Sequence, residues 1–171
     1  MKITLVRPRP EDKTNVMNYK QEFIRNNDQL HGTAMLDDYE VYEEWYADVL
    51  KNSSEETVAE NWVPCTTLLA YSEENTLVGM INIRHRLNDY LLEFGGHIGY
   101  SVRPTARRQG VATQMLTQAL EICRQLGIKK RLVTCDKTNT ASAATIIKCG
   151  GILENEVFEG DALIQRYWIE I

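Results

Sequence analysis

Residues 99–114 read GYSVRPTARRQGVATQ, and they place Arg103, Arg107 and Arg108 at a turn between an expected strand and an expected helix. Arginines at such a turn either solvate the surface or bind phosphate. A helix N-terminus favours phosphate, because its first N–H groups are unpaired and carry partial positive charge. Gly110 has no side chain, so a ligand can approach the backbone closely. The stretch therefore predicts a phosphate cradle.

Composition and the absence of other phosphate-binding motifs exclude several classes of function. The sequence contains neither GxxxxGK[ST] nor GxGxxG followed by a spaced acid, which argues against P-loop nucleotidases and dinucleotide dehydrogenases. Its 171 residues, 43% hydrophobic and 25% charged, are typical of one soluble domain. No apolar run approaches the ~20 residues of a membrane helix, and early prolines and acids argue against a signal peptide. The net charge of −5 argues against general nucleic-acid binding.

The cysteines are scattered, at positions 65, 123, 135 and 149, with no CxxC pair and no histidine at ligand spacing. Free thiols in a reducing compartment are therefore expected, rather than disulfides or a metal site. With no mark of export, the sequence predicts a cytoplasmic protein that uses no metal and has no nucleic-acid or membrane partner.

Acidic residues are concentrated in one segment. Residues 36–60 hold nine acids against one base, Lys51, whereas basic residues gather at 103–108 and 129–131. A solvated helix face explains such acids. The alternative is that part of this surface attracts a cationic partner.

Periodicity and turn residues predict, in order, one strand, two helices, three strands, a helix, a strand, a helix and two strands. This order indicates an α/β or α+β chain with a mixed sheet. Three glycines at 95, 96 and 99 mark a bulge, or a place where another backbone or a ligand approaches the strand closely. The predicted strands are 3–6, 66–71, 77–84, 93–102, 131–135, 152–158 and 163–169. The first three predicted helices are 11–26, 41–50 and 111–126, and Gly127 is the predicted stop of the third. The fourth is predicted to be capped by Thr138 or Asn139, to run through Ile146 and Ile147 and to stop at Gly150–Gly151.

Two motifs carry a resemblance to a known family. Residues 102–112, VRPTARRQGVA, resemble the V-x-P-x-x-[RQ]-x-x-G-x-[GA] motif of the GNAT superfamily of acyl-CoA-dependent N-acetyltransferases. Residues 139–142, NTAS, and 148–150, KCG, are similar to its N-x-x-S…K-x-G pattern. The resemblance implies a single domain over 1–171 and a GNAT-like α/β (α+β) fold, with a mixed, mostly antiparallel twisted sheet of about seven strands flanked by about four helices. It also implies acceptor-side helices within 1–60 and an acetyl-CoA-binding core within 95–150.

The same resemblance implies which residues hold acetyl-CoA. The pantetheine arm would pair with the strand before the turn, the pyrophosphate would lie on the turn, and two further residues would lie near the arm and the thioester. These residues are Tyr100, Ser101, Val102, Arg107, Arg108, Gln109, Gly110, Val111, Ala112, Thr113, Asn139 and Ser142.

Acyl transfer to an amine needs a general base, because an ammonium must lose a proton before it attacks. His97 is the predicted base, since it lies on the strand that would carry the thioester and titrates near neutrality; the alternative is a histidine packed between strands. Glu93, expected on the same strand face, is predicted to relay through water or to anchor the substrate cation. His31 belongs to the loop that shapes the acceptor pocket in this family and is predicted to bind substrate.

One position departs from the family pattern. Many relatives have a tyrosine four residues after the motif serine as general acid, and this chain has Ile146 there. Ser142, the Cys149 thiol or unaided departure of the thiolate are the alternatives.

The predicted function is transfer of an acetyl group from acetyl-CoA to the primary amine of a small cationic molecule by direct attack. A protein acetyltransferase acting on N-termini or lysines, and a catalytically weak coenzyme A-binding module, are the alternatives. Edge strands near the C-terminus suggest a homodimer.

Overall fold

The chain forms a mixed seven-stranded sheet with helices on both faces, as the computed structural model shows for residues 1–170. The order of elements confirms the order predicted from sequence. Strands are β1 (Ile3–Val6), β2 (Cys65–Ser72), β3 (Leu77–Arg84), β4 (Ile98–Val102), β5 (Lys130–Asp136), β6 (Ile152–Glu159) and β7 (Ala162–Glu170). Helices are α1 (Lys13–Arg25), α2 (Tyr42–Lys51), α3 (Val111–Gln125) and α4 (Thr140–Lys148).

The strands lie in the order β1-β2-β3-β4-β5-β7-β6. Every neighbouring pair is antiparallel except β4 and β5, which run parallel and register at a single pair, Ile98 with Val133. The mixed, mostly antiparallel sheet is thus confirmed. Its weakest junction is the one between β4 and β5.

Both faces of the sheet are covered. Leu68 and Ala70 of β2 belong to the core beneath α3 and α4, whereas Leu69 and Tyr71 belong to the core beneath α1 and α2. A strand covered on both sides has no solvent face, so β2 and β3 are buried almost throughout. The two cores fix α3 and α4 on one face of the sheet and α1 and α2 on the other.

Helix boundaries follow the predicted capping signals. Gly127 after α3 and Gly150 after α4 have φ of +75° and +94°, a conformation that glycine adopts at helix C-termini. Asn139 caps α4, because its Oδ1 accepts a hydrogen bond from the Ser142 N–H at 3.1 Å.

The strand predicted over 93–102 is wrong in its first part. Leu91–Gly95 form a turn of π-helix, and β4 begins only at Ile98. Gly96 has a φ of +66°, and a Cβ there would lie 2.6 Å from the Leu132 carbonyl oxygen. Gly96 therefore lies tightly against the backbone of β5, which confirms the predicted close approach of another backbone and not the bulge.

All four cysteines are free, as the sequence predicts. Within residues 1–170, no helix combines the length and apolar character that crossing a membrane requires.

Candidate active site

A gap opens between β4 and β5. Hydrogen bonds join the Arg84 N–H to the His97 carbonyl at 2.7 Å and the Arg103 N–H to the Val78 carbonyl at 2.8 Å. Antiparallel pairing alternates along a strand, so the odd-numbered residues of β4 bond to β3. The N–H and C=O of Tyr100 consequently point away from β3, into the gap. An extended ligand can pair with the exposed edge of β4.

The turn before α3 presents free amides to the same gap. The first helical hydrogen bond runs from the Gln114 N–H to the Gly110 carbonyl at 3.2 Å. The amides of Val111, Ala112 and Thr113 therefore have no helical acceptor. Gly110 has a φ of +77°, and nothing lies within 4 Å of the position a Cβ would take. This turn has the open geometry and free amides of an anion-binding site, and residues 99–114 predict a phosphate there.

The three arginines of the turn have different roles. Arg103 pairs with Glu22 of α1 at 3.0 Å, and Arg107 pairs with Asp28 at 3.0 Å. Both ion pairs hold the α1 side of the molecule against the turn. Arg108 is exposed and forms no ion pair with residues 1–170. Of the three, Arg108 is the one whose charge is available to a phosphate.

The gap and the turn line one cavity of about 830 Å³, here called the donor cavity. Most of the residues predicted to hold the coenzyme meet in its wall: Tyr100, Ser101, Val102, Arg107, Arg108, Gly110, Val111, Ala112, Thr113, Asn139 and Ser142. Gln109 lies outside the wall, and its side-chain amide is 3.5 Å from the Thr105 carbonyl oxygen.

Besides Arg107, two more of the predicted coenzyme residues have side chains that bond to the protein, Ser101 and Asn139. The hydroxyl of Ser101 lies 3.0 Å from the Tyr19 hydroxyl, and the Ser101 carbonyl accepts a hydrogen bond from that hydroxyl at 2.9 Å. Asn139 caps α4 as described. Their side chains contribute to the shape of the donor cavity, and its free polar groups are mainly backbone.

A second cavity, of about 610 Å³ and here called the acceptor cavity, lies on the other side of the loop that contains His31 and Gly32. His31 lines both cavities. Gly32 has a φ of +68°, and a Cβ there would lie 2.1 Å from the Gly99 carbonyl oxygen. The loop thus crosses β4 in direct backbone contact, and His31 stands at the junction of the two cavities.

The acidic segment contributes only part of its charge to the acceptor cavity. Eight of its nine acids are exposed, and two of them, Glu43 and Glu55, form surface ion pairs with Lys13 and Arg86. These fit a solvated face. The acids in the cavity wall are Asp37, Asp38 and Asp48.

Arg84, which the sequence reading missed, also lines the acceptor cavity. It is the last residue of β3, and its Nη1 donates long hydrogen bonds to the carbonyls of Gly95 and Gly96, at 3.3 and 3.5 Å. Its position after an apolar strand resembles that of any solvated arginine, so the sequence offers no signal. Only the fold of the π-helical turn, whose Gly95 carbonyl accepts one of its hydrogen bonds, covers part of its side chain.

The His31 imidazole is open to both cavities, but protein surrounds the loop and removes part of its hydration. Burial and the nearby Arg84 charge lower the pKa of His31, and the carboxylates of Asp37 and Asp136 oppose this shift. Neutral imidazole therefore predominates at pH 7, and it can accept a proton.

Comparison with known proteins agrees with this arrangement. Residues 25–150 match the model of the acetyltransferase (GNAT) family. The chain belongs to the GNAT family.

Solved structures share the GNAT fold over the whole chain. An acetyltransferase of the family from Streptococcus pneumoniae is 18% identical, with a TM-score of 0.69, and the match covers 99% of this chain and 100% of that one. The microcin C7 self-immunity acetyltransferase MccE, in complex with acetyl-CoA and AMP, is 15% identical with a TM-score of 0.75 over 99% and 93%. A mutant of spermidine N-acetyltransferase SpeG from Vibrio cholerae is 16% identical with a TM-score of 0.67 over 98% and 94%. No curated protein matches the sequence.

The GNAT chain does not bring the predicted catalytic pair to the cavities. His97 is 6% exposed, and its Nδ1 accepts a hydrogen bond from the Leu132 N–H at 3.0 Å. Burial, with smaller effects of the Arg131 and Arg84 charges, lowers its pKa to about 4. Glu93 is exposed in the π-helical turn, so it shares no strand face with His97. Neither residue lines either cavity.

Position 146 offers no proton donor in this GNAT structure, because the side chain of Ile146 is a hydrocarbon. It is fully buried in the core. A phenol reaches the same region from β4: the Tyr100 hydroxyl lies 2.9 Å from the Ser142 Oγ. Burial raises the pKa of Tyr100 to about 12, so the phenol stays protonated at neutral pH. The Cys149 thiol lies 3.9 Å from the Thr113 carbonyl oxygen and is outside the donor cavity wall.

Metal ligands do not gather in the part of the chain that the structure describes: residues 1–170 contain no group of three or more His, Cys, Asp or Glu side chains placed to hold an ion.

Proposed function

We propose that this chain transfers an acetyl group from acetyl-CoA to the primary amine of a small molecule. The observation that carries the proposal is the meeting of two cavities, of about 830 and 610 Å³, at the single side chain of His31. An acyl donor and an amine must come together at one point to react. MccE, which shares the fold, is in complex with acetyl-CoA.

The donor cavity suits coenzyme A. The free amides of Val111, Ala112 and Thr113 would bind the pyrophosphate, with Arg108 at the rim and Gly110 leaving room for it. The outward N–H and C=O of Tyr100 would pair with the amides of the pantetheine arm. Bound there, acetyl-CoA supplies an activated acyl group and a thiol leaving group.

His31 is the proposed general base. It is the side chain at the junction, and its lowered pKa keeps the imidazole neutral, so it can take the proton from an incoming ammonium. This assignment replaces His97, which is buried and whose Nδ1 is already hydrogen-bonded. Asp37 and Asp38 would attract the cationic amine into the acceptor cavity.

Tyr100 is the proposed hydrogen-bond donor to the leaving thiolate, which can depart without taking the phenolic proton. Its protonated hydroxyl lies in the donor cavity wall beside Ser142, in the region where a family tyrosine is replaced by Ile146. Ser142 would orient the phenol through the 2.9 Å contact between their oxygens.

A small acceptor is favoured over a protein. The acceptor cavity has the volume and concave shape of a small-molecule site. SpeG, another protein with this fold, is a spermidine N-acetyltransferase. A lysine or a protein N-terminus is therefore only the second candidate acceptor.

A cytoplasmic location is proposed as well, because the four free thiols suit a reducing compartment.

Release of free thiol from acetyl-CoA over a panel of amines, amino acids and peptides tests the proposal. We expect amine-dependent release with at least one small acceptor. Binding of acetyl-CoA by calorimetry without release for any acceptor would make the chain a binding module. Release with peptides alone would make it a protein acetyltransferase.

A further inference from the structure

Arg84 is a largely buried cation without a carboxylate partner in residues 1–170. Its Nη1 bonds to the Gly95 and Gly96 carbonyls are long, at 3.3 and 3.5 Å, and its guanidinium makes no other hydrogen bond to the described residues. A guanidinium carries several N–H donors in a rigid fork, so most of them remain available. Those donors lie in the wall of the acceptor cavity.

Burying such a charge is costly unless an anion compensates it. Burial lowers the pKa of Arg84, and the neighbours that oppose this shift are Cys65 and Tyr90, neither of them a carboxylate. By contrast, Arg103, Arg107 and Arg86 all have acid partners within 3.0 Å. The missing partner of Arg84 is therefore expected to come from a ligand.

The guanidinium lies close to the junction of the two cavities. A Cβ on Gly99 would be 3.2 Å from the Arg84 Nη1 and 3.5 Å from the Gly32 Cα. Arg84 and the loop that carries His31 thus approach the same point of β4. An anion bound to Arg84 would therefore lie near an amine beside His31.

The rest of the acceptor cavity carries the opposite charge. Asp37, Asp38 and Asp48 line it, and Asp48 accepts a hydrogen bond from the Tyr39 hydroxyl at 2.6 Å. The cavity is therefore bipolar, because the Arg84 cation lies near the junction and the three acids line other parts of the wall. A polyamine satisfies the acids but places a like charge next to Arg84, whereas a zwitterion satisfies both.

We propose that the acceptor is a small amino acid, whose carboxylate binds the Arg84 guanidinium while its amine faces His31. This inference rests on the proposed function and names its substrate class. Arginine suits the role because its planar fork matches a carboxylate with paired hydrogen bonds. A purely structural role, in which Arg84 only holds the Gly95 and Gly96 carbonyls, is the competing explanation.

Direct binding tests the inference without any turnover. The probes are the standard amino acids, each compared with its carboxamide and its decarboxylated amine, titrated by calorimetry into the protein with and without coenzyme A. We expect at least one amino acid to bind with a Kd below about 10 mM. Its carboxamide and its amine should bind about 10-fold to 100-fold more weakly, because they lose the charge-assisted pair. If no amino acid binds, or if the carboxamides bind equally well, the inference is overturned.

The variant Arg84→Gln tests the residue itself. We expect it to abolish the preference for the acid over the carboxamide, with Arg84→Lys intermediate, because lysine keeps the charge but loses the fork. Arg86→Gln is the matched control, since Arg86 is exposed, pairs with Glu55 and lies outside the cavity wall. Equal weakening of all probes by Arg84→Gln would show a structural role and overturn the inference.

Coenzyme affinity separates this inference from the proposed function. Arg84→Gln should leave coenzyme A binding within about 2-fold of the unmodified protein, and its melting temperature reports whether it folds. If the unmodified protein fails to bind coenzyme A, the proposed function is contradicted, but the amino-acid titration can still be interpreted. Conversely, acetylation of polyamines but not of amino acids would support the proposed function and overturn the inference that the acceptor is an amino acid.

Discussion

The donor and acceptor cavities meet at His31 but are built from different materials. The donor cavity takes its polar character from backbone: the amides that open α3 and the free edge of β4. The acceptor cavity takes its polar character from side chains that are distant in sequence, with Asp37 and Asp38 on one side and Arg84 on another. A backbone site tolerates many side chains and recognises one coenzyme, whereas a side-chain site can change its ligand with one substitution.

The largest expected effect is on the backbone site. Gly110→Glu should weaken coenzyme A binding by about 1,000-fold, because a carboxylate would occupy the phosphate position and the left-handed backbone disfavours a side chain. Calorimetric titration of coenzyme A measures this. Gly127→Glu is the matched control, because Gly127 has a similar φ of +75° and equally open surroundings at the other end of α3. Equal loss in both variants would assign the effect to backbone strain instead of the cradle.

The next effect is at the junction. His31→Gln should lower kcat by about 100-fold with coenzyme affinity unchanged, because the base is removed. In the unmodified protein, kcat/KM should fall as the pH drops below the ordinary histidine value of 6.5, since the pKa of His31 is lowered, and this acid limb should disappear in the variant. His85→Gln is the control, because His85 bonds to Thr66 away from both cavities. An unchanged pH profile in His31→Gln would remove the base assignment.

A smaller effect tests the wall between the cavities. Gly32→Ala should lower the free energy of unfolding by about 2 kcal/mol, because its Cβ would meet the Gly99 carbonyl and the loop must move. Activity should fall as well, since the loop positions His31. Chemical denaturation measures the first effect, and Gly160→Ala controls for the positive φ, +59°, in open surroundings. Equal destabilisation by both would show that the contact with β4 contributes nothing.

The last effect is confined to acidic pH and concerns His97 as a structural residue. Its folded pKa of about 4 lies below the ordinary value of 6.5, so its stabilising contribution is complete above pH 6.5 and is lost as the pH falls towards 4. The slope due to this one group is at most about 1.4 kcal/mol per pH unit. His97→Asn, which keeps an acceptor for the Leu132 N–H, should flatten the pH dependence of the unfolding free energy over that range. A catalytic His97 would instead show its largest loss in kcat.

Local signals predicted the fold well, since each one acts within a few residues. The apolar stripe of α3, its glycine stop and the Asn139 cap are set by neighbours along the chain, and all are confirmed. The same locality misled the prediction of the strand over 93–102. The sequence predicts an extended chain there, whereas the Gly96 N–H donates to the Leu91 carbonyl at 2.6 Å and closes a π-helical turn, and the His97 N–H then bonds to the Leu132 carbonyl at 2.7 Å.

The sequence by itself determined the family and the turn that opens α3, because a helix N-terminus after a glycine is a property of consecutive residues. Only the tertiary structure decided which side chains face the acceptor. His31, Asp37 and Arg84 come from separate segments, and the crossing of the Gly32 loop over β4 brings them to one cavity. Their roles depend on burial and on opposing charges across space, and neither is encoded in the spacing of residues along the chain.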